Sequence, residues 1–414
     1  MPAPRRLLHN GDYLRLMSGQ SISSLGTAMS AFVFTLLGLA ITGSPVQAGL
    51  VGTAGALGGT VFSLPAGALV DRVNRRNVLV ACSLAGTVLF GSVAVAGWLD
   101  RLTIVHLIVV AFCSGAANSF FMPAQNAALR KIVQPADLGT AMAANEGRQH
   151  VAGLLGAPLG GALYAVGRVL PIAFDAVSYL FMTVMLMTIR RPLPAPEPDG
   201  EQHEPILRAI GTGLKWVVRQ PAIRVMALSA TLVNFAAQGT LLVLILNLQR
   251  HGVRPSTIGL LETGIGIGGV LGAIAAPRIL RRFRTGMIGI VAAWAIAIAF
   301  AATAFTLQPL VLVALLAAAI FLVPSFNSGL FGYQVMITPD GMQGRAQSAI
   351  GFLANSTVPV APALGGILLA HAGARTALLV FSSIIALSAL MLTLSGAIRA
   401  IPLLADVAAE QGLP

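Results

Sequence analysis

Apolar residues fall into twelve long runs separated by short polar stretches. The runs cover 14–41, 47–70, 77–97, 103–127, 139–165 and 169–189, then 222–248, 256–280, 285–305, 309–337, 345–370 and 374–397. A helix needs about 20 predominantly apolar residues to cross a bilayer. Backbone polar groups in hydrocarbon must also be satisfied within the segment, which a helix does by itself. Each run therefore predicts one transmembrane helix, and the chain is predicted to be an all-α integral membrane protein. Pro123, Pro158, Pro324, Pro359 and Pro362 interrupt the fourth, fifth, tenth and eleventh spans.

One segment breaks the rhythm. Pro192-Leu-Pro-Ala-Pro-Glu-Pro-Asp-Gly-Glu is rich in proline and acid, the composition of an extended linker. Between Glu204 and Arg219, Ile206, Leu207, Ile210, Leu214 and Val217 recur at helical spacing with Arg208, Lys215 and Arg219 among them. That pattern predicts a short amphipathic helix on the inner membrane surface. The chain thus divides into an N-terminal six-helix bundle (1–189), a cytoplasmic linker (190–221) and a C-terminal six-helix bundle (222–414). The bundles also repeat in sequence. Pro135-Ala-Asp-Leu, followed by Ala157-Pro-Leu-Gly160-Gly161, has a counterpart in Pro339-Asp-Gly-Met, followed by Ala361-Pro-Ala-Leu-Gly365-Gly366.

Composition narrows the class. The chain is 56% hydrophobic and 10% charged, against roughly 25% charged residues in soluble domains. Its formal charge of +12 is scattered between apolar runs, which reads as topology and anionic-lipid contact and excludes a nucleic-acid partner. With both termini placed inside, twenty of the 26 Lys and Arg residues fall in inner loops and five in outer ones. Both termini are therefore expected in the cytoplasm, with the chain in the inner membrane. Cys82 and Cys113 lie inside apolar runs and form no metal or disulfide pattern. No Gly-x-x-x-x-Gly-Lys-Ser/Thr stretch is present, so nucleotide binding is not expected, nor is an enzymatic activity.

The stretch between the second and third spans carries a resemblance. Gly67-Ala-Leu-Val-Asp71-Arg72-Val-Asn74-Arg75-Arg76 resembles the signature loop of the major facilitator superfamily. Asn74 stands where the usual pattern has a second glycine, and asparagine also visits the left-handed turn a glycine would serve. Within that superfamily the chain resembles the bacterial drug and siderophore exporters. The carriers are Gly19-Gln20-x-Ile-Ser-Ser-Leu-Gly26, Phe121-Met-Pro123-Ala124 and Phe174-Asp175-Ala-x-Ser178-Tyr179. The resemblance implies two pseudo-symmetric six-helix bundles (the major facilitator fold), alternating access, and a central cavity with substrate near the membrane midplane. It also implies efflux of small amphipathic compounds in exchange for protons, driven by a proton gradient and not by a bound cofactor. An uncoupled facilitator or importer, or a non-transporting sensor or scaffold on the same fold, stays open.

Candidate residues follow. The resemblance implies that Asp71, with Gly67, Arg72, Arg75 and Arg76, forms a conformational gate. Gly156-Ala-Pro158-Leu-Gly160-Gly161 is similar to an antiporter motif, with its proline one residue late, and Pro362, Gly365 and Gly366 repeat it in register. Both are read as bend sites. Gly156 and Gly160, and Gly264, Gly268 and Gly272, fall at four-residue spacing that lets helices approach closely. A carboxylate shielded from water can carry a proton. Glu146, Asp175 and Glu262 are the candidates, with Arg148 and Arg130 as charge partners. Glu146 could equally pair with either arginine in water, and Asp175 could be structural. Two features of proton-coupled relatives are absent: an arginine ahead of Gly115, and an acid at the position of Thr27. Polar residues expected to face a cavity are Gln20, Ser24, Asn118, Gln125, Asn126, Asn234, Gln238, Asn327 and Asn355. Phe32, Phe120, Phe235, Phe326 and Phe352 could form its apolar wall.

Overall fold

The computed structural model describes residues 7, 9–70, 73–134, 137–192, 206–339 and 342–401. Among them every regular element is helical. The helices are α1 Gly11–Thr42, α2 Pro45–Val70, α3 Arg75–Trp98, α4 Ile104–Ile132, α5 Leu138–Val166, α6 Leu170–Thr188, α7 Ile206–Arg219, α8 Pro221–Arg250, α9 Pro255–Arg282 and α10 Thr285–Thr303. They continue with α11 Pro309–Ile320, α12 Val323–Ile337, α13 Gln343–Asn355, α14 Ala361–His371, α15 Gly373–Leu394 and the short α16 Gly396–Arg399. Ten segments among the described residues are long and apolar enough to cross a membrane, with α11–α12 and α13–α14 each counted as one. The second and fifth expected spans are the helices α2 and α5, which are not among the ten. The run Asn145–His150 makes α5 the more polar of its neighbours.

Two expected spans are not single helices. The tenth, 309–337, breaks between Ile320 and Val323, just before Pro324. The eleventh, 345–370, ends its first piece at Asn355, turns through a 3₁₀ segment at Val358–Val360, and restarts at Ala361. Proline lacks the N–H that would close the helical ladder. Yet Pro65, Pro123, Pro158 and Pro277 sit inside unbroken helices. What differs is the surroundings. At the α13 break, Thr231 Oγ1 donates to the Leu353 carbonyl at 2.8 Å and Asn234 Nδ2 to the Ala354 carbonyl at 3.0 Å. The carbonyls the break releases are thus satisfied from α8. The fourth span also runs further than expected, to Ile132, so Arg130 and Lys131 end a helix.

Local signals place the ends. The Asn10 side chain accepts from Tyr13 N at 3.1 Å at the start of α1, and Gly43, with φ 65°, closes that helix in the left-handed region. Asn74 corrects the expectation of a left-handed turn: its φ is −62° and its side chain caps α3 by accepting from Arg76 N at 3.0 Å. A short polar side chain at an N-cap accepts from a free backbone N–H of the first turn, a bond that glycine at the same place cannot make. Asp71, Arg72 and the linker at 193–205 lie outside the described residues.

By internal packing the chain forms two compact units, residues 1–202 with 249–260, and 203–248 with 261–414. The division drawn from sequence assigns 249–260 to the second bundle; in packing they group with the first unit. In the first unit, a Cβ on Gly115 would lie 2.0 Å from the Gly55 carbonyl oxygen, so α2 and α4 touch backbone to backbone. Gly156 and Gly160 bring α5 onto Ala28 and Met29 of α1. A buried cluster including Leu16, Leu79, Leu129, Met182 and Leu186 joins α1, α3, α4 and α6.

In the second unit, Cβ atoms on Gly264, Gly268 and Gly272 would meet the carbonyls of Val313, Ala317 and Phe321 at 2.6, 2.2 and 2.0 Å. The four-residue spacing thus seats α9 along α11 and the turn after it. The expected amphipathic helix is α7. Its Val217 is buried with Ile223, Ala227 and Ala349, while Leu214, Lys215, Val218 and Arg219 are exposed.

Candidate functional site

The first unit lines a half-open cavity of about 360 Å³ with residues of α1, α3, α4, α5 and α6. Gln20, Ser24 and Thr27 reach it from α1 at i, i+4 and i+7, one face of the helix. Asn118 and Gln125 come from α4, Arg148 from α5 and Tyr179 from α6, with Phe90, Phe121 and Met122 as apolar wall.

Arg148 organises one side. Its Nη1 donates to the Gln20 carbonyl at 2.9 Å and to Ser24 Oγ, and its Nη2 donates to Asn145 Oδ1 at 3.0 Å. Asn145 Oδ1 also accepts from Gln125 Nε2 at 2.8 Å. Arg148 thereby ties α5 to α1, and through Asn145 to α4. The Gln20 side chain is 2% exposed and neither of its amide atoms has a partner.

Asp175 organises the other side. It is fully buried on α6. Ser178 Oγ donates to its Oδ1 at 3.1 Å, and the hydroxyls of Ser30 and Thr27 on α1 lie beside the carboxyl. Thr27 Oγ1 also donates to Tyr179 Oη at 3.0 Å. The Tyr179 ring stacks on Phe90 at 5.5 Å and 14°. Thr27 thus stands beside both the buried acid and Tyr179, and Thr27 and Tyr179 both line the cavity.

The other expected residues are dispersed. Glu146 is exposed on α5 and makes no hydrogen bond to Arg148; residues two apart on a helix do not face each other. Arg130 is exposed at the end of α4. Glu262 is partly buried in α9 of the second unit. Gly67 lies in α2, Arg75 is 8% exposed with its Nε unpaired, and Arg76 donates to the Met187 carbonyl. Pro158 stays helical, and Gly161 packs on the Pro255 carbonyl. Pro362, Gly365 and Gly366 are buried in α14.

Of the second-unit cavity candidates, Asn234 is committed to the α13 break, and Gln238, Asn327 and Asn355 are exposed. Phe235 meets Phe381 at 5.9 Å, and Phe326 packs on Gly289. Asn145, Thr27, Ser178 and Tyr179 were not singled out for the site by sequence reasoning. Asp175, Ser178 and Tyr179 recur at i, i+3 and i+4, a spacing that puts all three on one face of α6 and was the available signal.

Comparison with known proteins places this arrangement. The chain is 25% identical over 384 residues to the multidrug efflux pump Tap of Mycolicibacterium fortuitum, covering 90% of this chain and 92% of that protein. Its fold matches a bacterial homologue of the human lysosomal transporter Spinster, in an inward-facing and occupied conformation. The TM-score is 0.75 at 15% identity, over 96% of this chain and 97% of that one. It also matches a bacterial homologue of the iron transporter ferroportin, with TM-score 0.71 at 17% identity over 94% and 98%. The profile described as Major Facilitator Superfamily matches residues 16–328. With ten segments long and apolar enough to cross a membrane among the described residues, a helical fold shared with solved transporters, and that match over most of its length, the chain belongs to the Major Facilitator Superfamily of membrane transporters.

Proposed function

We propose that this transporter works by alternating access and exports small amphipathic compounds in exchange for protons, with both termini in the cytoplasm of a bacterial inner membrane. The observation that carries the coupling is the clustering of Asp175, Thr27 and Tyr179 at the cavity. A proton carrier inside a membrane needs an acid held away from lipid and a route to water. Asp175 is fully buried among hydroxyls, and Thr27 and Tyr179 both reach the cavity. A hydroxyl donates and accepts, so two in series can hand a proton between the acid and the cavity.

Export is supported by the similarity to Tap, which spans nearly the whole of both chains. Glu262, in the second unit, is the second acid in this reading. The stretch from Gly67 to Arg76 is proposed as the gate, with Arg75 and Arg76 at its described end.

Everted membrane vesicles test the reading. An inside-acid pH gradient is expected to drive uptake of an amphipathic probe such as 8-anilino-1-naphthalenesulfonate, and a protonophore is expected to abolish it. Uptake indifferent to the gradient would replace exchange by facilitation. Net movement of the probe in the opposite direction would replace export by import.

A further inference from the structure

The cavity of the first unit has one charged side chain on its wall, Arg148. All three of its acceptors are neutral: a carbonyl, a hydroxyl and an amide oxygen. A guanidinium has five N–H groups. Two of Nη1 and one of Nη2 are engaged, which leaves the Nε–H, buried and unpaired, and one on Nη2. The nearest acid in sequence, Glu146, is exposed and outside the cavity lining. Asp175 lies behind Thr27 and is not on the wall either.

The charge of Glu146 reaches Arg148 only through space, from the exposed face of α5 and with no ion pair between them, and a positive charge so held on a half-buried cavity wall favours an anion and opposes a cation. The unpaired Gln20 amide sits on the same wall, and its main-chain carbonyl is already held by Arg148. It can donate to a second oxygen. Phe90, Phe121 and Met122 add an apolar and aromatic surface to the same lining. The volume of about 360 Å³ is that of a small-molecule site, where a few polar groups orient an apolar body.

We propose that this cavity binds compounds carrying one oxyanion, such as a carboxylate or sulfonate, on an aromatic or aliphatic body, with Arg148 and Gln20 as ligands of the oxyanion. This deepens the export reading by naming the substrate class, and it rests on that reading for the direction in which such a compound moves.

The test is binding to the purified protein in lipid nanodiscs, with no gradient imposed. The probes are 2-naphthoate, 2-naphthamide and 2-naphthylmethylammonium, measured by equilibrium dialysis and corrected with empty nanodiscs. Naphthoate is expected to bind at least tenfold tighter than the amide, and the ammonium weaker than either. Arg148→Gln is expected to bring naphthoate down to the affinity of the amide, with amide binding kept as evidence of folding. Gln20→Leu is expected to weaken naphthoate several-fold. If Arg148→Gln does not fold, the charge series on the unaltered protein decides.

Equal binding of the three probes, no naphthoate binding up to millimolar concentration, or a naphthoate preference that survives Arg148→Gln would each overturn the proposal. Because no pH gradient enters the assay, a failure of proton-driven export in vesicles leaves this result standing, and the reverse also holds.

Discussion

A Cβ built on Gly26 would lie 2.5 Å from Oδ1 of Asp175 and 3.1 Å from its Cα. Helix α1 is thus seated directly on the buried acid, and the glycine is what permits the approach. A carboxyl oxygen can rotate aside, but the backbone of α6 cannot. Gly26→Ala is expected to push the two helices apart and to destabilise the protein by about 1–3 kcal/mol, the usual cost of overpacking a tight core. Thermal unfolding in detergent checks this; an unchanged midpoint would show that the contact is loose.

Tyr179→Phe separates packing from proton transfer. The ring keeps its stack on Phe90 and loses only the hydroxyl that accepts from Thr27. Stability is expected to change by no more than about 1.5 kcal/mol, the net worth of one hydrogen bond. Gradient-driven uptake in everted vesicles should slow several-fold.

Asp175→Asn keeps the shape of the side chain and cannot cycle a proton. It is expected to abolish uptake driven by a pH gradient while gradient-free exchange of substrate continues. The measurement compares the two modes in the same vesicles. A parallel loss of both would mean that Asp175 acts only in packing.

Gly161 and Gly259 form a second close approach. A Cβ on Gly161 would lie 2.3 Å from the Pro255 carbonyl oxygen, and one on Gly259 2.4 Å from that of Ala157. Helix α5 and the start of α9 therefore meet backbone to backbone. Gly161→Val is expected to force them apart. In a background lacking Cys82 and Cys113, a cysteine placed at Ser256 should then react several-fold faster with a membrane-impermeant maleimide. Equal rates would count against this contact.

At the break after α13, Thr231→Val and Asn234→Leu each remove a donor to a released carbonyl. The Leu353 carbonyl keeps the Ser356 N–H and hydroxyl, so Thr231→Val is expected to cost about 0.5–1.5 kcal/mol, the net worth of one hydrogen bond, and Asn234→Leu about 1–3 kcal/mol. Each variant is expected to lower the unfolding midpoint, and Thr231→Ser to restore most of the loss at its position.

Several of these relationships lie beyond what residue order conveys. Arg148 follows Glu146 by two positions, so sequence pairs them naturally. In the helix they diverge, and Arg148 turns to Gln20 and Ser24 of α1, more than a hundred residues away. Asn234 reads as a cavity residue because polar groups in spans avoid lipid, yet a hydrogen bond to a broken helix meets that need equally well. Gln20, Ser24 and Asn118, expected at a cavity for the same reason, do lie on the wall of one.

The order of residues by itself determined the membrane class, the all-helical fold, the linker helix and the family, because crossing a bilayer demands long apolar runs and a signature loop leaves fixed residues at fixed spacing. Tertiary structure alone decided which prolines break a helix, which acid is sealed from water and which partner each buried polar group takes. Those outcomes depend on what a neighbouring helix presents at hydrogen-bond distance, and one helix's sequence holds no record of the helix packed against it.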